Sequence, residues 1–290
     1  MFVPASDERK LAKVGAYGAD LIVIDLEDAV AEDQKTAARA QAHAALATFP
    51  AGRVVAVRVN GIETGRLDDD IEAVTAPGLA AVVVPKLEDA GTLPAVDAAL
   101  ARAEREAGLA EGTVRVLALI ETPLGVVRCE ELLAAAPPRT VTAIFGLVDF
   151  SVALGVDLTA GGEELAYARG RIVIAARAAG LSAPVDGPYP DLDDLDGLLA
   201  SSRHVRTLGF QGRVALHPAQ LPAINRAFSE LGAGEAAHAE RVVAAFEEAR
   251  ARGVASLRVG GQFVDYPVYE LARRKLSRLA ALEPPAAPGD

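Results

Sequence analysis

The sequence predicts an α/β protein, a (β/α)8 TIM barrel with a C-terminal helical lid extension. Eight short apolar stretches recur along it: FVPA, LIVIDLED, VVAVRVN, AAVVVPK, RVLALIE, TAIFGLVD, LSAPVDG and RVALHP. A strand buried on both faces must be almost continuously apolar. Helix-compatible stretches separate these runs, which is the rhythm of parallel βαβ units. Eight such units in roughly 220 residues match a small barrel. No G-x-G-x-x-G turn follows the first strand, which weighs against an open sheet of the dinucleotide-binding kind.

Each element has a local reason. Ser6 is the expected cap of a first helix running to about Tyr17, with Asp7 and Glu8 in its first turn. Ala-rich segments near 32–48, 89–107 and 124–135 read as helices, as does Glu163–Ala179, where Gly180 supplies a stop. Leu192 to Leu208 supplies another. The rhythm changes near Phe228. A spacer, LGAGEAAH, leads to a helix near 237–252, and RVGGQFVDYPVYELARRKLSRLAAL reads as a turn followed by a helix. This segment holds too little apolar material for a core of its own. The expected organisation is a catalytic barrel over 1–228, a helical lid over 229–282 and a disordered tail over 283–290.

Half of the 290 residues are apolar, which excludes a disordered chain. No apolar run approaches the ~18 residues of a membrane span, and no secretory leader opens the chain. Cys129 is the sole cysteine, so no internal disulfide forms. These features fit the cytoplasm. A net charge of -11 argues against nucleic acid and anionic membranes as partners. An anionic substrate must then be drawn by a local basic cluster.

Most runs end in polar residues: Asp25, Glu27 and Asp28, then Arg58 and Asn60, Lys86, Glu121, Asp149, Asp186 and His217. In a barrel such residues emerge at the carboxyl rim, where sites are built. Glu121 and Asp149 are expected at the ends of adjacent strands, and neighbouring strands lie ~4.8 Å apart. Two carboxylates there could reach one hard cation, and Mg²⁺ takes one or two protein carboxylates. The alternative is that each caps a helix or pairs with an arginine. Scattered histidines and a helical cysteine disfavour zinc, and no G-x-S-x-G elbow supports a serine nucleophile. Arg58 offers a planar fork for a carboxylate or enolate oxygen. It could equally pair with Asp25, Glu27 or Asp28, and both readings can hold together. Arg9 and Lys13 share one helix face at the rim, where they could hold phosphates or simply face solvent. Lys86 reads as a rim lysine paired to Glu27 or Glu121 more readily than as a Schiff-base nucleophile. His217 reads as a hydrogen-bonding rim residue, and Asp265 as a turn aspartate.

The ordered set FVPA, DLEDAV, VRVN, VVPKLE, ALIETPLG, FGLVDFS, YARGRIVIAARAAGL, GFQGRVALHPAQ and GGQFVDYP resembles the citrate lyase beta-subunit-like family, within the wider group of malyl-CoA, citramalyl-CoA and citryl-CoA lyases. The likeness runs from Phe2 to about Ala272. It implies that Glu121 and Asp149 hold magnesium and that Arg58 is the substrate arginine. Phe2, Arg9 and Lys13 would serve the CoA or acyl end, and Leu216 and His217 would line the substrate. Asp265 would be the catalytic acid–base, on a lid that commonly closes over the neighbouring barrel of a homotrimer. The chain departs from the family in starting at the first strand, in Ala5 where glycine is common, and in Arg9 where lysine is frequent. The expected reaction is magnesium-dependent cleavage of a 3-hydroxyacyl-CoA to acetyl-CoA and an oxoacid, with Arg58, Glu121 and Asp265 catalytic. Alternatives are thioester hydrolysis, a CoA-independent aldol cleavage, and a citrate lyase beta subunit that needs an acyl-carrier partner.

Overall fold

Eight parallel strands in sequence order form the main sheet of the described residues. The computed structural model describes residues 1–230 and 234–282. The expected tail at 283–290 and residues 231–233 of the spacer lie outside the described residues. The strands are β1 (Phe2–Pro4), β2 (Leu21–Asp25), β3 (Val54–Arg58), β4 (Ala81–Val84), β5 (Arg115–Ile120), β6 (Thr140–Phe145), β7 (Val185–Asp186) and β8 (Gly212–Arg213). The edges approach where the Phe2 N–H donates to the Ala215 carbonyl, 3.4 Å away. The architecture is the (β/α)8 TIM barrel.

The helices are α1 (Glu8–Val14), α2 (Lys35–Leu46), α3 (Leu67–Val74), α4 (Thr92–Glu106), α5 (Pro123–Val127), α6 (Cys129–Ala134), α7 (Leu147–Leu154), α8 (Ala166–Ala178), α9 (Leu195–Leu208) and α10 (Leu221–Ser229). Asp7, not Ser6, caps α1, accepting from the Lys10 N–H at 3.0 Å. The stretch expected as one helix near 124–135 is two, because Arg128 leaves helical geometry between α5 and α6. Cys129 opens α6 and is buried, and burial followed by the Glu130 charge pushes its thiol up to about 11. No helix of the described residues is long and apolar enough to cross a membrane.

Side-chain alternation decides what each strand offers. Val23, Ala56, Ala81, Val83, Leu117, Leu119 and Ile144 form one cluster, joined by Phe2, Leu21, Val185 and Val214. These are alternate residues of successive strands, so they mark the barrel interior. Asp25, Arg58 and Glu121 continue that parity and face the mouth. Asp186 and Arg213 have the opposite parity and face the helices.

The chain divides into two compact units, with the second beginning at Asn225. Within the second unit, α11 (Glu235–Ala251) and α12 (Tyr266–Leu282) flank an antiparallel hairpin of β9 (Leu257–Val259) and β10 (Gln262–Val264). The sequence expectation of a plain turn before α12 is corrected here: Gly260 and Gly261, both at positive φ, fold this segment as a hairpin. The expectation that this segment lacks a core is also corrected. Ala239, Val242, Phe246, Val264, Tyr269 and Ala272 are buried together, and Phe246 stacks on Tyr269 at 4.7 Å between centroids. Small residues let few side chains close this core.

Candidate active site

Asp25 and Arg58 are register partners on β2 and β3, which brings two inward side chains into a cross-strand pair. Arg58 grips Asp25 with both prongs, Nε to Oδ1 at 2.8 Å and Nη2 to Oδ2 at 2.6 Å. Asp25 also accepts the backbone N–H of Glu27 at 2.9 Å. Arg58 Nη1 lies 2.8 Å from Glu27 Oε2, and its guanidinium stands over the Phe2 ring at 5.3 Å. Burial disfavours the Arg58 charge, but Asp25, Glu27 and Glu121 outweigh it and hold the group above the ordinary arginine range. Nε and Nη2 each hydrogen-bond Asp25, and Nη1 is drawn to Glu27 by charge, which leaves N–H capacity on Nη1 and Nη2 for a ligand.

Lys86 follows β4 and Pro85. It is the one described non-glycine residue at positive φ (51°). This conformation points its N–H at Glu121 Oε1, 2.9 Å away, and its Nζ at Glu27 Oε1, 2.6 Å, and Asp28 Oδ1, 3.4 Å. Glu27 is buried with neither carboxylate oxygen in good hydrogen-bond geometry, so it holds both cations by charge. The Lys86 amine titrates well above the ordinary lysine range: burial opposes the charge, and Glu27 and Asp28 outweigh burial. It stays protonated at neutral pH and is a poor Schiff-base nucleophile.

Glu121 directly follows β5 and is 1 % exposed. Burial first, then the Glu27 charge, push its carboxyl up to about 8, with a further contribution from Asp149. Asp149 does not end a strand as the spacing of TAIFGLVD suggests. β6 stops at Phe145, Gly146 breaks the extended chain, and Asp149 is the third residue of α7, exposed to solvent. The two carboxylates are still close enough to repel through space. Gly146 has no room for a side chain, since a Cβ would fall 2.4 Å from Glu121 Cβ.

Five carboxylates, Asp25, Glu27, Asp28, Glu121 and Asp149, thus meet two cations, Arg58 and Lys86. Glu121 and Asp149 are the two carboxylates left without a side-chain cation, and together they suit a hard divalent ion that keeps water and substrate oxygens and whose binding would expel the proton Glu121 otherwise holds. Among the described residues no group of three or more His, Cys, Asp or Glu is gathered to hold a metal ion, so the protein's own share of such a site is the two carboxylates, Glu121 and Asp149.

The remaining expected residues fall into three places. Phe2 belongs to the barrel interior, under Arg58. Arg9 and Lys13 are exposed on α1, and Arg9 lines an open cleft of about 590 Å³ with Pro4, Ser6, Asp7, Ala29 and Gln41, whereas Lys13 does not. His217 is exposed, and its Nδ1 accepts the Ala219 N–H at 3.2 Å. The backbone N–H of the exposed Leu216 donates to Gln220 Oε1 at 2.9 Å. Asp265 lies in the second unit and caps α12, accepting from the Val268 N–H at 3.3 Å. Two terminal residues leave the mouth. Asn60 turns outward to bond Asp70 on α3 at 2.6 Å, and Asp186 joins Arg169 and Arg213 beneath the helices. The anchoring role of Asp25 is legible only from the shared parity of Asp25 and Arg58. The Lys86 backbone bond to Glu121 has no signal in the sequence.

Comparison with known proteins places this geometry. The family model for HpcH/HpaI aldolase/citrate lyase matches residues 1–218. A citrate lyase subunit beta of Leuconostoc mesenteroides is 34 % identical over 275 residues, 94 % of this chain and 90 % of that protein. A (3S)-malyl-CoA thioesterase of Cereibacter sphaeroides is 35 % identical over 283 residues, 97 % and 94 % of the two chains. The crystal structure of CitE from Mycobacterium tuberculosis in complex with magnesium, acetoacetate and coenzyme A is 32 % identical, with a TM-score of 0.76 over 96 % of each chain.

Proposed function

The chain belongs to the HpcH/HpaI aldolase/citrate lyase family and is an enzyme of the lyase class, and we propose that it cleaves a 3-hydroxyacyl-CoA of the malyl, citramalyl or citryl type into acetyl-CoA and an oxoacid, with Mg²⁺ as cofactor. The observation that carries this reading is the Arg58 fork, clamped by Asp25 beside the buried Glu121 at the barrel mouth. The CitE complex with magnesium and coenzyme A supports it.

Glu121 and Asp149 would hold the ion, which would act as Lewis acid and template for the substrate's oxygens. Asp265 takes the proton of the 3-hydroxyl, and that oxygen becomes the carbonyl of the departing oxoacid. The electron pair of the C2–C3 bond passes into the thioester, forming an enolate. The N–H groups of Arg58 not bonded to Asp25 meet the enolate oxygen, and Asp25 and Glu27 keep the guanidinium from rotating away. Asp265 then protonates C2 to give the acetyl group. Arg9 and Lys13 supply the local positive charge that a CoA phosphate needs on a chain of net charge -11. The chain works as a homotrimer in which each second unit serves a neighbouring barrel, so that closure excludes water when substrate is present.

Hydrolysis of the same thioesters is the second reading, favoured by the thioesterase name of the Cereibacter relative. A single panel separates the outcomes: purified chain, magnesium with and without chelator, malyl-, citramalyl- and citryl-CoA, and products identified by mass. Acetyl-CoA plus an oxoacid is expected. Free CoA plus intact hydroxyacid would replace cleavage with hydrolysis, and turnover only with an added acyl-carrier protein would make the chain a lyase subunit. Glu121→Gln should lower magnesium affinity by more than about 100-fold and abolish cleavage. Full chelator-resistant turnover in that variant would sink the metal assignment.

A further inference from the structure

Opposite the parity of the mouth residues, β7 and β8 send Asp186 and Arg213 toward the helices, where Arg169 of α8 meets them. Asp186 is fully buried and receives Arg169 Nε at 3.1 Å, Arg169 Nη2 at 3.1 Å and Arg213 Nη2 at 2.7 Å. Arg169 and Arg213 are 3 % and 7 % exposed. Two buried guanidinium groups therefore share one hydrogen-bonded carboxylate, and Glu164 reaches Arg169 only through charge. An uncompensated buried charge is costly. Neutral acceptors take part of the load: Arg213 donates to the Gly187 carbonyl and to the hydroxyls of Ser201 and Ser202 at 3.0–3.1 Å. Arg169 Nη1 has only the Gly162 carbonyl, at 3.5 Å, which is a weak contact.

These arginines line a cavity of about 350 Å³, walled also by Leu147, Leu158, Tyr189 and Ser201. Asp191 and Asp194 border it too and bring negative charge to its wall, but their bonds are to neutral donors of their own loop and not to either arginine. Asp191 accepts the N–H groups of Asp193 and Asp194, and Asp194 accepts the Gly197 N–H and the Tyr189 hydroxyl. The loop is shaped around Arg169: Gly162 has φ +69°, and a Cβ there would sit 2.6 Å from Arg169 Nη1. Burial pushes the Arg213 group below its ordinary range, with repulsion from Arg169 adding to it and Asp186 opposing it.

We propose that this cavity is a binding site for a small organic carboxylate, separate from the Arg58 and Glu121 mouth. The planar anion seats on the spare N–H groups of Arg169 Nη1 and Nη2 and Arg213 Nη2, and its short apolar body lies against Leu147, Leu158 and Tyr189. Guanidinium suits a carboxylate because two parallel N–H groups match its two oxygens.

The chain contains no tryptophan, so Ala160→Trp, at an exposed position on the cavity wall, supplies a single indole that is excited on the red side of the tyrosine band. Acetate and pyruvate are titrated into this full-length variant in the presence of a chelator, with chloride and inorganic phosphate at matched ionic strength. The expected result is a saturable fluorescence change with the two carboxylates, with a Kd on the order of 1–10 mM. Adding Arg169→Met should weaken it at least tenfold while leaving Asp186 and Arg213 as a neutral pair. Leu158→Phe narrows the cavity without touching either arginine and carries the same expectation if the methionine variant does not fold. A flat titration to ~100 mM, a response equal in chloride, a preference for phosphate over both carboxylates, or binding unchanged in the folded variants would each overturn the proposal.

Discussion

At the scale of single residues, Glu121 sets the pH behaviour of the site. Its carboxyl is raised from 4.5 to about 8 by burial and by Glu27. The folded protein therefore holds a proton there that the unfolded chain has released, and linkage fixes the sign. In the metal-free protein, the stability this group contributes is fully present below about pH 4.5 and is lost as pH rises to about 8. Loading a cation expels the same proton, so magnesium affinity should climb by about tenfold per pH unit up to that point and then level off. Calorimetric titration at pH 6, 7, 8 and 9 checks this; a flat profile from pH 6 to 8 contradicts it. Arg58 illustrates the complementary device. A guanidinium that would be costly to bury alone is kept charged by two carboxylates, Asp25 and Glu27.

At the scale of elements, the connection from β6 to α7 decides whether the two proposed ligands meet. Gly146 prolongs the ladder, its N–H donating to the Ile120 carbonyl at 2.9 Å, and then turns the chain into α7 with Glu121 packed where a Cβ would be. Gly146→Ala should displace Glu121, costing about 1–3 kcal/mol in thermal or urea unfolding and at least ~10-fold in magnesium affinity. Wild-type affinity would show that the connection tolerates the methyl. The same segment shows where sequence reading stops. β2 to β6 were legible because burial on both faces demands unbroken Val, Ile, Leu and Ala. The register of their ends was not, since TAIFGLVD stays apolar from strand through turn into helix and carries no mark of where Gly146 bends it. Asp186 and Asn60 looked like mouth residues for the same reason: position along a run is visible, but the face on which a side chain emerges depends on a strand end that can shift by one residue. β7 and β8 are only two residues each, too short for alternation to declare itself. α3 hides in LDDDIEAV, whose charges mask an apolar stripe of Leu67, Ile71 and Val74.

At the scale of the whole molecule, the barrel and the C-terminal unit each have a core, and the proposed chemistry requires both. Asp265 sits at the N-terminus of α12, and Phe263 and Tyr266 nearby are exposed in the single chain. If each barrel is served by a neighbour's Asp265, two dead variants should rescue one another. Glu121→Gln and Asp265→Asn chains, inactive apart, should yield on the order of a quarter of wild-type activity when co-expressed and assembled as mixed trimers, the chance that an intact barrel meets an intact lid. No rescue in a verified mixed assembly would place the aspartate over its own barrel or outside the chemistry. The solitary thiol of Cys129 makes the proposed closure testable. Because that sulfur is buried and holds its proton to about pH 11, maleimide dyes pass it by at neutral pH. Two cysteines introduced on the surface, one in the hairpin, would then be the only labelled positions, and a donor and acceptor on them can follow the hairpin by energy transfer without first stripping the native residue.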